Sequence, residues 1–226
     1  MKLTRTNDLK AHALKIVCHG ESAAGKTRLA ATTGCLDETI IISAEAGLLS
    51  LRDVAATAIE VGSKADVLEA YAWITESDEA RGIQWICVDS LSEIAEVLLA
   101  DEKSKHADGR RAYGEMADIM TRLIRSFRDL PGKHVYMSCK QERIAADMGR
   151  MLYAPSMPGN KLAQQVPYFF DEVFALRVHR DDESGEIKRW LQCHPDGSYS
   201  AKDRSGVLEM YEAPNLAAIK TKILGD

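Results

Sequence analysis

The sequence of 226 residues lacks the marks of several specialised protein classes. Its five cysteines are an odd number without a Cys-x-x-Cys pair, which argues against a disulfide framework and against a zinc site. No apolar run approaches the roughly 20 residues of a membrane helix, and the first residues contain no signal-peptide core. The net charge of −5 excludes a globally basic nucleic-acid binder and leaves room for a local basic groove. We therefore expect a cytoplasmic protein without a membrane partner.

The composition that remains is typical of a globular chain, with 46% hydrophobic and 28% charged residues. Short apolar runs alternate with stretches of helical periodicity, and this alternation predicts βαβ units around a mostly parallel sheet. No segment resembles a linker, so we expect one α/β domain over residues 1–226. The predicted strands are Leu14–Cys18, Thr39–Ile42, Trp85–Val88, Val135–Met137 and Asp171–Val178.

Helices and loops are predicted between these strands. The helical stretches are Lys64–Thr75, Leu91–Leu99, the apolar stripe from Met116 to Leu130, and Pro214–Leu224. Small and polar residues predict a long loop over Glu142–Pro158. The turn signal Pro195-Asp196-Gly197 predicts that Ile187–Cys193 pairs with Tyr199–Lys202 as a C-terminal β-hairpin.

A phosphate-binding motif follows the first predicted strand. The pattern G-x-x-x-x-G-K-[ST] is matched in full by Gly20-Glu21-Ser22-Ala23-Ala24-Gly25-Lys26-Thr27, and Arg28 comes next. The glycines let the backbone wrap around a polyphosphate without Cβ clashes, so that successive N–H groups point inward. Lys26 is expected to reach the β- and γ-phosphates, and the Thr27 hydroxyl is expected to bind Mg²⁺. The motif therefore predicts that residues 20–28 bind ATP and Mg²⁺.

Two carboxylates follow the second and third predicted strands. Asp89 comes directly after Trp85–Val88, where an aspartate can bind the Mg²⁺ shell of a P-loop protein, although Asp89 or Ser90 could equally cap the next helix. Glu45 comes shortly after Thr39–Ile42, where it is either a general base that orients water or an ordinary turn glutamate. These positions make Asp89 a candidate metal ligand and Glu45 a candidate catalytic residue.

The order of these features resembles the core of the RecA-like ATPases. Further segments, spread from about Leu14 to Ile223, resemble phage nucleotide-binding proteins of the RecA-like Sak type, which are implicated in single-strand annealing and recombination. They are Gly20–Thr27, Glu45–Arg52, Val88–Glu93, Ala112–Met116, Arg128–Lys133, Pro158–Lys161 and Lys202–Gly206. The Walker A motif is common to many families, whereas the combination of segments is more specific. The resemblance implies a RecA-like P-loop fold.

The resemblance also implies roles for individual residues. Glu45 would activate water, and either Lys140 or Gln141 would sense the γ-phosphate. Lys202 and Arg204 resemble a Lys-x-Arg element that reaches across a subunit interface to the γ-phosphate of the neighbour; without the resemblance, a solvated turn would explain them. A homo-oligomer, either a ring or a filament, is therefore expected.

Two basic segments resemble the mobile DNA-binding loops of RecA-like proteins, and solvated surface loops are the alternative. The candidate DNA-binding residues are Lys103, Lys105, Arg110, Arg111, Arg143, Arg150 and Lys161. Tyr113 and Tyr153 are candidate partners for base stacking, whereas Tyr168 and the other large aromatics are expected in the core.

Taken together, these features predict an ATPase that binds single-stranded DNA and promotes annealing or strand pairing. A single-strand-binding protein is a further candidate partner. Two alternatives remain open: a nucleotide-gated binding module with little turnover, and a small-molecule phosphotransferase. The phosphotransferase would need an arginine-bearing lid, and no arginine-rich lid helix is evident in the sequence.

Overall fold

The computed structural model describes residues 13–145 and 149–225. Its strands are β1 (Lys15–Gly20), β2 (Thr39–Ser43), β3 (Thr57–Glu60), β4 (Trp85–Asp89), β5 (His134–Ala145), β6 (Met151–Pro155), β7 (Glu172–Arg180), β8 (Ile187–Gln192), β9 (Lys202–Asp203) and β10 (Tyr211–Glu212). Its helices are α1 (Lys26–Ala30), α2 (Lys64–Glu76), α3 (Leu91–Lys105), α4 (Gly109–Arg128), α5 (Asn160–Phe169) and α6 (Leu216–Leu224).

One sheet organises the described residues, in the order β10-β8-β7-β1-β5-β4-β2-β3. The six strands from β7 to β3 in this order are parallel, and the pairs β7–β8 and β8–β10 are antiparallel. Because β5 and β4 lie between β1 and β2, the loops after these strands meet at one edge of the sheet, where α/β proteins bind ligands. This architecture confirms the predicted α/β fold class, with a mostly parallel central sheet flanked by helices.

Hydrophobic residues cover both faces of the parallel strands, as expected for a buried sheet. On one face, Val17, Ile42 and Val88 belong to a core cluster that includes residues of α2, α3, α4 and α5. On the other face, Cys18 and Cys87 belong to a cluster that includes residues of α1 and α6. Four of the five cysteines are buried, Cys35 is half-buried, and all five are free thiols.

The C-terminal hairpin has a different pairing from the predicted one. Ile187–Gln192 pairs with β7 through a turn at 181–186, in which the Asp181 side chain accepts hydrogen bonds from the backbone and hydroxyl of Ser184. Lys202–Asp203 pairs with the start of β7 instead of with β8. The prediction was wrong because the Pro-Asp-Gly signal marks a turn without specifying which strands it joins.

The predicted loop over Glu142–Pro158 is also wrong for residues 142–145 and 151–155, which form strands. β5 continues to Ala145 and pairs with β6 as an antiparallel ribbon, which we call the arm (residues 141–145 and 151–155); residues 146–148 lie outside the described part. Among the described residues, no helix has the length and apolar character needed to cross a membrane.

Candidate active site

The P-loop connects β1 to α1. Gly25 caps α1 with φ of 107°, a left-handed conformation that glycine adopts at no steric cost. At Gly20, a Cβ would approach the Leu176 carbonyl oxygen to 3.0 Å, so the close passage of β7 also requires glycine. The Lys26 Nζ donates hydrogen bonds of 2.8 Å to the carbonyl oxygens of Gly20 and Glu21. The lysine therefore closes the loop on itself.

A buried carboxylate lies beside the P-loop hydroxyl. Asp89 is 1% exposed, and its Oδ2 accepts a hydrogen bond of 2.6 Å from Thr27 Oγ1. Its Oδ1 accepts a hydrogen bond of 2.5 Å from Ser138 Oγ. A Cβ on Gly47 would lie 3.2 Å from Thr27 Oγ1 and 3.7 Å from Asp89 Oδ2, so the glycine keeps the space beside both oxygens open.

These oxygens fit the preference of Mg²⁺, which is usually held by one or two protein ligands together with waters and substrate phosphates. Within residues 13–145 and 149–225, no group of three or more His, Cys, Asp or Glu side chains is arranged to hold a metal on its own. A site with Thr27 and Asp89 therefore depends on the phosphates to complete the ligand shell.

Glu45 follows the last residue of β2 by two positions and lines a cavity together with Thr27 and other residues of the P-loop. Its Oε1 accepts a hydrogen bond of 2.5 Å from Ser90 Oγ, and this hydroxyl also accepts a hydrogen bond from the backbone N–H of Glu93. Ser90 is thus the cap of α3 and a partner of Glu45, which leaves Asp89 to face Thr27. Of the two residues that the sequence offered as caps of this helix, Ser90 is the cap.

Lys140 and Gln141, the two candidate γ-phosphate sensors, both line the cavity and have different partners. The Lys140 ammonium contacts Glu93 at 2.8 Å and Glu96 at 2.9 Å, and hydrogen bonding to Glu93 is the main reason that the pKa of this lysine is raised. Gln141 instead contacts the imidazole of His19, with Oε1 3.0 Å from Nδ1. The lysine is engaged by two carboxylates, whereas Gln141 keeps part of its amide available.

The cavity has a volume of about 850 Å³, within the range of small-molecule sites. Residues of the P-loop form one wall, together with the side chain of Arg28, which also forms an ion pair with Asp53. Arg189 and Pro214 line it as well, and Arg189 Nε donates a hydrogen bond of 3.0 Å to the Ala24 carbonyl oxygen. The cavity therefore extends beyond the loop into the C-terminal part of the chain.

Sequence reasoning missed three residues of this region: His19, Ser138 and Arg189. His19 and Ser138 are 0% exposed and are polar residues within apolar stretches of their strands. A polar residue within an apolar run is the sequence signal that could have identified them. Arg189 carries no local signal, because the β7–β8 pairing brings it to the P-loop from a distance of 165 residues.

Lys202, a candidate residue for the neighbouring site, lies away from the P-loop of its own chain. It pairs with Val173, which aligns with Val17 in β1, so it lies roughly 10 Å before the P-loop along the strands. Its Nζ donates hydrogen bonds to the carbonyl oxygens of Pro167 (2.7 Å) and Phe170 near the end of α5, and burial lowers its pKa. This ammonium thus has a structural contact within the chain.

Arg204 is exposed and forms an ion pair with Asp171. The Arg204 side chain is 59% exposed and the Asp171 side chain 42% exposed. Ion pairs between such exposed groups usually contribute little to stability. Arg204 can therefore leave this partner at little cost.

The first set of candidate DNA-binding residues lies on the ends of two helices. Lys103 and Lys105 are in the last turn of α3, and Arg110 and Arg111 are in the first turn of α4. All four are exposed. The expectation of a mobile loop is corrected here, because only residues 106–108 separate the helices.

A tyrosine joins this set to Lys161, in the first turn of α5. Lys103 Nζ lies 5.2 Å from the centre of the Tyr113 ring. A Cβ on Gly159, two residues before Lys161, would lie 3.5 Å from the same ring. Lys103 and Lys161 are therefore on neighbouring parts of one surface.

Two further candidates, Arg143 and Tyr153, lie on the arm, where the ring of Tyr153 is already stacked. Tyr153 and Tyr199 stack with centroids 4.7 Å apart, and Arg143 lies 5.8 Å from the Tyr153 centroid. Arg177 continues the series, 3.7 Å from the Tyr199 ring and 5.9 Å from the Trp190 ring. We call these five residues the stacked series.

Arg150, the remaining basic candidate, is exposed, and so is Tyr168. Arg150 is exposed beside the turn at Gly197. Tyr168, expected in the core, is instead 81% exposed. That expectation was wrong because the ring follows Pro167 on the outer face of α5.

Comparison with known proteins identifies the family to which the chain belongs. A search of curated proteins found no match. The solved structures that resemble this chain include a KaiC-like protein from the hyperthermophilic archaeon Pyrococcus horikoshii, with 14% sequence identity, a TM-score of 0.45, and coverage of 79% of this chain and 76% of that one. The model of the AAA domain family matches residues 12–205. Because this match spans most of the sequence and includes the P-loop, Glu45 and Asp89, the chain belongs to the AAA domain family of P-loop ATPases.

Proposed function

We propose that this protein hydrolyses ATP with Mg²⁺ and uses the cycle to control binding of single-stranded DNA. The observation that carries the proposal is the contact of buried Asp89 with Thr27, which lines a cavity together with Glu45. A P-loop hydroxyl, a strand-end aspartate and a second carboxylate that can orient water are groups that phosphoryl transfer to water uses.

The expected roles follow from these contacts. When ATP binds, Lys26 exchanges the carbonyl oxygens of Gly20 and Glu21 for β- and γ-phosphate oxygens. Thr27 and Asp89 would hold Mg²⁺, which supplies charge neutralisation at the phosphates. Glu45 accepts a proton from the attacking water, and Ser90 holds one oxygen of this carboxylate in place.

The proposal includes a second copy of the chain. Arg204 lies away from the P-loop of its own chain and has one weak surface partner, which favours a role in the site of a neighbour. An arginine supplied in this way can raise the rate about 10³–10⁵-fold. We expect assembly into a ring or a filament.

The proposal of DNA binding rests on exposed basic residues around Tyr113 and on the arm. These groups can neutralise backbone phosphates although the whole chain carries a net charge of −5. The resemblance to phage annealing proteins favours a role in strand annealing, with a single-strand-binding protein as a further candidate partner.

The test is ATP hydrolysis at several protein concentrations, with and without single-stranded DNA. Lys26→Ala should abolish turnover, and Arg204→Ala should abolish its cooperative rise with concentration. Arg81→Ala is the matched control, because Arg81 also forms an exposed ion pair, with Asp78. It should behave as the wild type does.

Other results would favour the alternatives. Slow turnover that Glu45→Gln leaves unchanged would favour a nucleotide-gated binding module. Turnover that is insensitive to DNA, to concentration and to Arg204→Ala would contradict the assembly, and would direct the search to a small-molecule phosphate acceptor.

The DNA proposal has its own measurement, the salt dependence of binding to a fluorescent oligonucleotide. Replacing Arg110 and Arg111 by alanine should weaken binding and reduce the slope of log K against log salt by about 0.7 for each DNA phosphate that is no longer neutralised. An unchanged slope would remove α4 from the DNA-binding surface.

A further inference from the structure

His19 occupies a buried position directly before the P-loop. It is 0% exposed and aligns with Cys139 of β5, two residues before Gln141. Because side chains alternate along a strand, Cys139 and Gln141 point to the same face, and a diagonal pair across two strands is within reach of long side chains. The contact between His19 and Gln141 thus follows from the register of the sheet.

Both ring nitrogens of His19 have a partner. Nε2 lies 2.7 Å from the carbonyl oxygen of Ser200, which can only accept a hydrogen bond, so Nε2 carries the hydrogen. Burial lowers the pKa of His19 to about 4, and the ring is therefore neutral at physiological pH. Nδ1 then has a lone pair and accepts a hydrogen bond.

The side chain that faces Nδ1 is the amide of Gln141, at 3.0 Å. The two ends of an amide are assigned from the hydrogen bonds that they make, and a lone pair on Nδ1 requires the NH₂ end. One hydrogen of this group is donated to Nδ1, and the second remains free to donate into the cavity that Gln141 lines. A γ-phosphate oxygen is the acceptor expected there.

We propose that His19 is a positioning residue for Gln141, with the Ser200 carbonyl oxygen setting the tautomer that turns the amide NH₂ toward the γ-phosphate. This inference rests on the proposed function, because it assigns the γ-phosphate sensor of the same site. It selects Gln141 over Lys140, whose ammonium is held by two carboxylates on α3. It also makes the sensor depend on the segment that leads into β9, to which Ser200 belongs.

The two hydrogen bonds of His19 can be removed separately. In His19→Asn, the amide occupies the place of Nδ1 and retains the contact with Gln141. In His19→Gln, the longer amide reaches the place of Nε2 and retains the contact with Ser200. Both variants keep a neutral polar side chain in the buried site, so each is the matched control of the other.

Steady-state kinetics should separate them. We expect His19→Gln to lower kcat for ATP about 10–100-fold, the effect of removing a supporting hydrogen bond, with KM changed less than threefold. His19→Asn should retain most of kcat. The double variant His19→Gln/Gln141→Ala should be no slower than Gln141→Ala, because His19 acts through Gln141. Equal losses in the two histidine variants, or losses that multiply in the double variant, would overturn the inference.

Nucleotide binding tests the same coupling without turnover. His19→Gln should reduce the ratio of affinities for a non-hydrolysable ATP analogue and for ADP, and His19→Asn should preserve this ratio. If the wild type shows no hydrolysis above Lys26→Ala, the proposed function fails, and the affinity ratio still decides the role of His19. If hydrolysis is present and the ratio is the same in all histidine variants, only the inference fails.

Discussion

Glu172 should make the stability of the protein fall as the pH rises through neutrality. The residue is 2% exposed at the start of β7, and its pKa is raised from 4.5 to about 8, first by burial and then by the neighbouring carboxylate of Asp203. Between these two values the folded chain retains a proton that the unfolded chain has released. Folding is therefore favoured by protons, and the free energy of unfolding falls with rising pH.

The size of the effect follows from the shift. Each pH unit within this window removes up to about 1.4 kcal/mol, and the slope flattens near the upper end, so the loss between pH 6 and pH 8 is about 2 kcal/mol. Glu172→Gln supplies a side chain of similar shape that is neutral at every pH. It should cancel this part of the pH dependence and be more stable than the wild type at pH 8.

The assay is urea unfolding at pH 6, 7 and 8, followed by tryptophan fluorescence. Glu186→Gln, which removes an exposed carboxylate before β8, is the control and should follow the wild type. Parallel pH profiles for the wild type and Glu172→Gln would refute the reasoning. They would mean that Glu172 is already ionised in the folded protein at pH 6.

Further predictions concern the cavity and the arm. Glu45→Gln should lower ATP turnover about 10²–10⁴-fold, the usual contribution of a general base, with binding of a fluorescent nucleotide changed less than threefold. Gly47→Ala should raise the Mg²⁺ concentration needed for half-maximal turnover at least tenfold, because its Cβ enters the space of the metal ligands; Gly82→Ala, whose Cβ meets nothing within 4 Å, should not. Tyr199→Leu should speed hydrogen exchange in the arm by about tenfold through loss of the stacking on Tyr153, and unchanged exchange would exclude a supporting role for the stacking.

The parts of the fold that the sequence predicted are the buried parallel strands. Runs such as Trp85–Val88 are buried on both faces of the sheet, so every residue in the run is apolar and the run stands out in the sequence. The arm gave no such signal, because Gln141–Ala145 is polar and packs mainly against its own partner strand. β3 was missed for a similar reason, as a four-residue edge strand without a fully buried side chain.

Within the candidate site, too, some residues could be predicted from the sequence and others could not. The P-loop and the strand-end Asp89 were predictable, because local spacing and a preceding apolar strand define them. The tautomer of His19, the contact of Arg189 with the P-loop and the choice between Lys140 and Gln141 depend on pairing between distant strands. The register of the sheet determines these three features, and no local pattern in the sequence encodes that register.

The stacked series has a mechanical consequence. Its rings and guanidinium groups join the arm to β7 and β8 through side chains, across segments that share few backbone hydrogen bonds. β8 in turn holds the P-loop backbone through Arg189. The arm is thus connected to the phosphate-binding loop through a series of side-chain contacts and β8. Under the proposed function, single-stranded DNA bound to the arm would be coupled to the phosphate-binding loop through these contacts.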